Sequence, residues 1–238
     1  MIIALAGFTT GTTTVLFGFG GGFVVVPFVY QLLVRQPPLA SDAMHIAVAT
    51  STAVMIFNAG WVSFQNWRAG RLSLPILFPL LWFIAVGAVA GSWLAGILSE
   101  VLIRELFIFY MLITIGDCLL RKDFFSGNAP RRLSLSVVTG GGVIIGMIAA
   151  LLGVGGSVMT VPLLRRHGHT MRECISAANP LSLPVALCGA VTYAISGWHK
   201  ISAGGFVGFI SLKILGLLLV AGWAGIVFSR RVIPAVPD

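Results

Sequence analysis

The stretch Phe17-Gly-Phe-Gly-Gly-Gly-Phe-Val-Val-Val-Pro27 returns, with changes, as Leu152-Gly-Val-Gly-Gly-Ser-Val-Met-Thr-Val-Pro162. Counted back from the two prolines, Gly18, Gly20 and Gly21 fall on Gly153, Gly155 and Gly156. Each cluster interrupts a long uncharged run, Met1 to Val34 in one case and Ser134 to Leu164 in the other. Glycines inside an apolar helix cost stability unless a close backbone approach or an opened turn requires them. Two such interruptions at matching places indicate an internal repeat, and they mark the interruption as the candidate site.

The chain around these clusters has 238 residues, of which 58% are hydrophobic and 9% charged. Its mean hydropathy is +1.01. A soluble domain carries about 25% charged residues, so this composition defines an integral membrane protein. The formal charge of +8 is spread over short loops, which suits anionic lipid headgroups and excludes a nucleic-acid-binding domain. Cys118, Cys174 and Cys188 are scattered and read as small apolar fillers, not as a disulfide or metal set. The first basic residue is Arg35, so no secretory signal peptide is expected and the opening run belongs to the fold.

Seven apolar segments are expected: Met1–Val34, Ala43–Trp67, Leu74–Leu98, Leu106–Leu120, Ser134–Leu164, Cys174–Ser196 and Ala203–Ser229. Continuous runs at helix length exclude a strand-built barrel. Gly127-Asn-Ala-Pro130 is a turn signal in the longest loop and divides the chain into a first module, 1–125, and a second, 126–238. The second segments match as well, with Ala49-Thr-Ser51 on Ala178-Asn-Pro180 and Gly60 on Gly189. The second module reads as lacking its last helix.

Roughly 20 helical residues cross a bilayer core, so the first and fifth segments are too long for one simple span. If every segment crosses once, Lys and Arg divide evenly between the two sides. If the first and fifth turn back on themselves, one side gathers Arg68, Arg71, Arg121, Lys122, Arg131, Arg132, Arg165, Arg166, Arg172, Arg230 and Arg231. The other side keeps Arg35, Arg104 and Lys200. The usual cytoplasmic excess of basic residues favours the second arrangement. The expected fold is therefore an all-α polytopic membrane protein of two related, inverted modules, each opening with a glycine-broken or re-entrant helical segment. Two parallel modules of four ordinary helices are the alternative.

On Gly20-Gly-Gly-Phe-Val-Val-Val-Pro27, Gly155-Gly-Ser-Val-Met-Thr-Val-Pro162, the Ala49-Thr-Ser and Ala178-Asn-Pro segments and the small-residue-rich third segments, the chain resembles the TauE/SafE family of sulfite and sulfonate exporters. The resemblance covers nearly the whole chain. It implies a membrane carrier for sulfite, sulfoacetate or a related anion. Ser157 in place of a third glycine, Pro180 in place of a serine and the missing last helix are departures from the family pattern.

Gly20, Gly21, Gly22, Gly155, Gly156 and Ser157 are candidates for exposing backbone N–H groups where a helix restarts inside the membrane, a neutral way to attract an anion. Close packing of small residues is the competing reading. Pro27 and Pro162 are candidate hinges that end or bend the helix. Thr50, Ser51 and Asn179 offer further donors, with Asn58, Gln65 and Tyr193 as weaker candidates. His45 reads as a satisfied interfacial histidine, and Asp117 as a partner of Arg121 and Lys122. Lys213 lies deep in an apolar segment and is the candidate source of full positive charge. Gly21→Ala or Gly156→Ala is expected to weaken transport while leaving insertion intact.

No acid–base pair, His–Asp dyad or metal set is visible among the seven acidic residues and four histidines, so no enzyme and no cofactor is expected. The expected function is a secondary transporter of a small anion, by resemblance sulfite, a sulfonate or another sulfur oxyanion, in a bacterial cytoplasmic membrane. Its partners are that anion and membrane lipids. A coupling ion (H+ or Na+) and a homo-oligomer stay open. A membrane-embedded enzyme and an accessory or structural subunit are the alternatives.

Overall fold

The computed structural model describes residues 2–18, 21–120, 134–198 and 204–232. In these the chain forms helices α1 (Ile2–Phe17), α2 (Gly22–Leu33), α3 (Ala43–Arg68), α4 (Leu74–Ile97), α5 (Glu100–Leu120), α6 (Gly142–Leu152), α7 (Ser157–Arg166), α8 (Met171–Ser196) and α9 (Leu212–Val232). Two-residue strands β1 (Phe206–Val207) and β2 (Ile210–Ser211) pair antiparallel just before α9. Four helical stretches are long and apolar enough to cross a membrane: Pro37–Arg68, Leu77–Ile97, Met171–Ser196 and Leu212–Val232. The protein is thus an all-α polytopic membrane protein apart from that one short hairpin.

Close approaches fix the directions of the helices. Gly60 lies against Leu183 and Gly189 against Thr52, so α3 and α8 run antiparallel. The Ser92 and Thr192 hydroxyls are 3.1 Å apart and Gly96 faces Ser196, so α4 and α8 run parallel. Gly7 faces Leu218 and Gly11 faces Gly222, which makes α1 parallel to α9; Gly87 faces Val143 and Gly91 faces Met147, which makes α4 parallel to α6. Within each of these two seams a Cβ on the central glycines would overlap the opposite backbone, so the backbones themselves are in contact.

At both glycine clusters the chain turns back on itself. Gly21 is packed on Thr10 and Gly156 on Ile145, each eleven residues earlier, whereas a straight helix would separate such positions by about 16 Å. Farther along, Ile3 and Ala6 of α1 share an apolar crevice with Phe28, Val29 and Leu32 of α2. The buried apolar side chains form two clusters, one centred on α2, α3 and the start of α9, the other on α4, α6, α7 and α8.

Helix ends explain three differences from the sequence reading. Leu106 was expected to open the fourth segment because Glu100, Arg104 and Glu105 look like a loop; instead α5 starts at Glu100. The Glu100 carboxylate accepts from the backbone N–H groups of Met44 and His45, capping α3, whose own N-cap residue Asp42 makes no such bond. The last apolar segment, expected from Ala203, opens in the described residues with a hairpin in place of a helix. Gly204, Gly205 and Gly208 make the hairpin, and the Ser211 N–H donates to the Thr50 hydroxyl at 3.2 Å before α9 starts. α8 starts three residues earlier than expected because Thr170 and Glu173 form a reciprocal capping box.

The directions place Arg68, Arg71, Arg165, Arg166, Arg172, Arg230 and Arg231 at one end of the bundle and Arg35, Arg104 and Lys213 at the other. Arg71 is near enough to Arg230 for their charges to interact. Asp117 lies 3.9 Å from Arg166, where the sequence reading gave it Arg121 and Lys122, which fall outside the described residues. The 1–125 and 126–238 boundary also falls in that undescribed stretch.

Candidate functional site

The first break begins where α1 stops at Phe17 and the Gly18 N–H closes onto the Thr14 carbonyl at 3.1 Å. Gly18 has φ +72° and Gly21 φ +100°, values that L side chains rarely adopt. α2 then starts from the Gly21 carbonyl, which accepts from Val24 and Val25. Gly20, a site candidate, lies outside the described residues. The second break repeats the arrangement: Gly153 has φ +66°, Gly155 φ +79°, and α7 starts from the Gly156 carbonyl, which accepts from Met159 and Thr160.

The two breaks adjoin. A Cβ on Gly22 would overlap the Gly153 carbonyl and come within 3.0 Å of Val154. Each break also rests on the long helix of the other half, Gly18 on Ile175 and Ala178 of α8, Gly153 on Val48 of α3. Gly21, Gly22, Gly155, Gly156, Ser51, Ser157 and Asn179 are therefore brought together around one junction. The prolines are not what ends the helices. Pro27 and Pro162 lie inside α2 and α7, which run through them, and the breaks fall earlier at the glycines.

The side-chain donors sort by polarity. Ser51 donates to the Gly153 carbonyl at 2.8 Å and Tyr193 to the Leu151 carbonyl at 3.4 Å, both at the C-terminal end of α6. Asn179 donates to the Thr14 carbonyl at 3.5 Å, at the C-terminal end of α1. At the N-terminal ends of α2 and α7 the N-cap residues are Gly21 and Gly156, which offer no capping side chain. Beside them sit buried donors with no hydrogen-bond partner among the described residues. Ser157 Oγ, in the first turn of α7, has none; nor does Asn58 Nδ2, which lies 3.6 Å from the Cβ position of Gly21. The Asn179 Oδ1 acceptor is likewise unpaired. Neutral side chains thus bond carbonyls at the C-terminal ends of α1 and α6, while among the described residues no side chain caps the N-terminal ends of α2 and α7.

Two expected site residues are placed elsewhere. The Thr50 hydroxyl is occupied by Ser211 and holds the β1–β2 hairpin. Lys213 is the second residue of α9 and is exposed, so it sits in a first helical turn and not deep in the bundle. Asn58 gains in standing. Its relation to Ser51, seven residues and two turns earlier on one face, was the signal available in the sequence. Thr10 and Thr14 are also fully buried near the first break, but their hydroxyls bond back to the Ala6 and Thr10 carbonyls at 2.6 and 2.8 Å. His45 pairs with Glu100 through Nδ1 at 2.7 Å and stacks on Phe209, with ring centroids 5.2 Å apart. Cys174 and Cys188 are free thiols, and the described residues contain no group of three or more His, Cys, Asp or Glu that could hold a metal ion.

A polytopic bundle whose helices break and restart against one another at a neutral, donor-lined junction has the architecture of a membrane carrier. The chain belongs to the sulfite exporter TauE/SafE family, whose model matches residues 3–238. It is 28% identical over 208 residues to a "Probable membrane transporter protein" of Haemophilus influenzae, covering 83% of this chain and 73% of that protein. A similarly described protein of Methanocaldococcus jannaschii is 20% identical over 247 residues, covering 98% of this chain and 87% of its own length. A second Haemophilus influenzae protein of that description is 24% identical over 170 residues, 68% of this chain and 60% of that protein. No solved structure matches. The protein is a member of a transporter family, not of an enzyme family.

Proposed function

We propose that the protein is a secondary carrier for a small anion, held at the junction of the two breaks by the N-terminal ends of α2 and α7, Ser157 and Asn58. The observation that carries this reading is the sorting of donors: side chains satisfy the helix C-termini and leave both N-termini without a capping side chain. Sulfite, a sulfonate or another sulfur oxyanion is the substrate class, by membership of a family described as sulfite exporters.

The carrier consists of two inverted modules, 1–125 and 126–238. Three features support this. Gly7, Gly11, Gly18 and Gly21 share their spacing with Gly142, Gly146, Gly153 and Gly156. The seam of α1 on α9 has its counterpart in the seam of α6 on α4, and the matching helices α3 and α8 run in opposite directions. Each module then opens with a re-entrant hairpin, and the arginine-rich end of the bundle faces the cytoplasm of a bacterial cell.

The test is flux in vesicles reconstituted with the purified protein, against sulfite, sulfoacetate, thiosulfate and simple carboxylates. At least one of these anions should cross faster than in protein-free vesicles, and Ser157→Ala should slow it. Protein-free rates for every anion would refute the carrier reading and leave the glycines a packing role.

A further inference from the structure

We infer that His45 and Glu100 form a proton-binding site, and that proton uptake there is coupled to anion binding at the junction. This rests on the carrier reading and assigns its coupling ion. The pair sits at the end of the bundle opposite the arginine-rich one. Its side chains meet at 2.7 Å, Nδ1 to Oε2, and are 11% and 22% exposed. The carboxylate also accepts from the backbone N–H groups of Met44 and His45, which are neutral donors. With a neutral imidazole the pair therefore carries a net negative charge, and with a proton on the ring it carries none. Histidine makes this change between about pH 5 and 8. With Nδ1–H held on the carboxylate, the proton is taken at Nε2.

The other ionisable groups at this end are engaged or turned outward. Arg104 of α5 is held by Glu105 and by Tyr30 of α2, and Asp42, just before α3, accepts from Ser41. Arg35 and Lys213 are exposed, and Tyr193 of α8 donates to the Leu151 carbonyl. α1, α6 and the β1–β2 hairpin carry no titratable residue.

Two connections lead from the pair to the second break. Along α3, Val48 lies one turn beyond His45 and packs on Gly153. Ser51, about 9 Å from His45 along the axis, donates to the Gly153 carbonyl. Across the bundle, the His45 ring meets Tyr193 edge-on at 6.2 Å and stacks on Phe209, whose N–H donates to the Tyr193 carbonyl. The Tyr193 hydroxyl reaches the end of α6. An anion at the junction is thus a near neighbour of the pair. Two negative charges this close and away from bulk water disfavour each other, so the anion favours the protonated ring. By reciprocity, a proton on His45 tightens the anion.

The experiment measures binding of thiosulfate, sulfoacetate and acetate to the full chain in lipid nanodiscs between about pH 6 and about pH 8, where these probes keep their charge and histidine does not. Wild-type affinity for at least one should rise about fivefold or more toward the acid end, the lower range of ordinary coupling between sites. Calorimetry in buffers of different ionisation enthalpy should show proton uptake with that anion. His45→Gln should lose the pH dependence and keep the weak affinity of the alkaline end. Glu100→Gln, which removes the standing negative charge, should bind more tightly than wild type at the alkaline end. His167→Gln and His169→Gln, at the arginine-rich end, should behave as wild type. A pair that only holds α3 in place would lower the thermal midpoint of its variants and leave the pH dependence of binding unchanged, which overturns the inference and leaves the carrier standing. Where a variant fails to reach the membrane, the wild-type proton count decides, and anion binding without proton uptake overturns the inference. If none of the three probes binds, the inference falls, and flux of sulfite decides whether the carrier reading falls with it.

Discussion

Gly21 and Gly156 occupy matching places in the sequence, yet they are not equivalent as positions for substitution. Gly156 has φ −67°, and a Cβ there would meet Ile145 Cγ2 at 3.4 Å, an ordinary contact. Gly21 has φ +100° and would drive a Cβ into the Thr10 methyl. Gly156→Ala should therefore keep membrane yield and lower anion affinity severalfold, measurable by titration of purified protein. Gly21→Ala should lose yield first, since the left-handed backbone alone costs about 1–2 kcal/mol and the overlap adds to it. Comparable yields for the two variants would contradict the geometry of the first break. Glu100 offers a second test at this scale. Its carboxylate is the cap of α3 and the partner of His45, so Glu100→Ala leaves orphaned donors and should cost about 1–3 kcal/mol in thermal unfolding. Glu100→Gln retains an acceptor and should recover part of that loss. The sequence made the glycine breaks visible but not this cap, because Glu100 and His45 are 55 residues apart and nothing local links them.

Helix against helix, the glycines do two different jobs, and only the conformation separates them. Gly18, Gly21, Gly153 and Gly155 at the breaks have positive φ; those of the seams, Gly11, Gly87, Gly91 and Gly146, are helical and let backbones touch. Gly11→Leu and Gly146→Leu should each destabilise by about 1–3 kcal/mol or more through overpacking. They should do so in similar measure if the seams are counterparts, as denaturation in detergent would show. A large loss at one seam and none at the other would argue against two related modules. Most helices were legible as apolar runs, and the ends of α3 and α4 were close to those read from sequence. The starts of α5 and α9 were not. Glu100, Arg104 and Glu105 disguise the start of α5, since charged residues carry no apolar packing signal even where, as with Glu100, they bond to a neighbouring helix. The apolar content of Phe206–Ser211 hides a hairpin, because hydropathy does not distinguish a buried strand from a buried helix. That misreading put Lys213 in the middle of a span and made it a site candidate. Placed in the first turn of α9, it should tolerate Lys213→Met with anion affinity unchanged, and a large loss would return it to the site.

For the molecule as a whole, the directions of the helices make a prediction about sidedness. Residue Gln36 follows α2 and Gly168 follows α7, at opposite ends of the bundle. Single cysteines at these two positions, in a background without Cys118, Cys174 and Cys188, should be labelled from opposite faces of the membrane. Labelling from the same face would be incompatible with a hairpin at each break. The charge pattern alone had favoured this arrangement, and the close contacts of Gly21 with Thr10 and of Gly156 with Ile145 supply its physical basis. The seam between α1 and α9 has a consequence for how the protein is made. α1, made before the other described helices, finds its main partner roughly 200 residues later, in α9. Until then its glycine face, Gly7 and Gly11, has no backbone to meet, and the nascent chain must hold a short, threonine-rich helix in or near the bilayer without its mate. Chains stalled before α9 would display an unmatched α1, whose exposed glycine face makes such intermediates prone to misassembly.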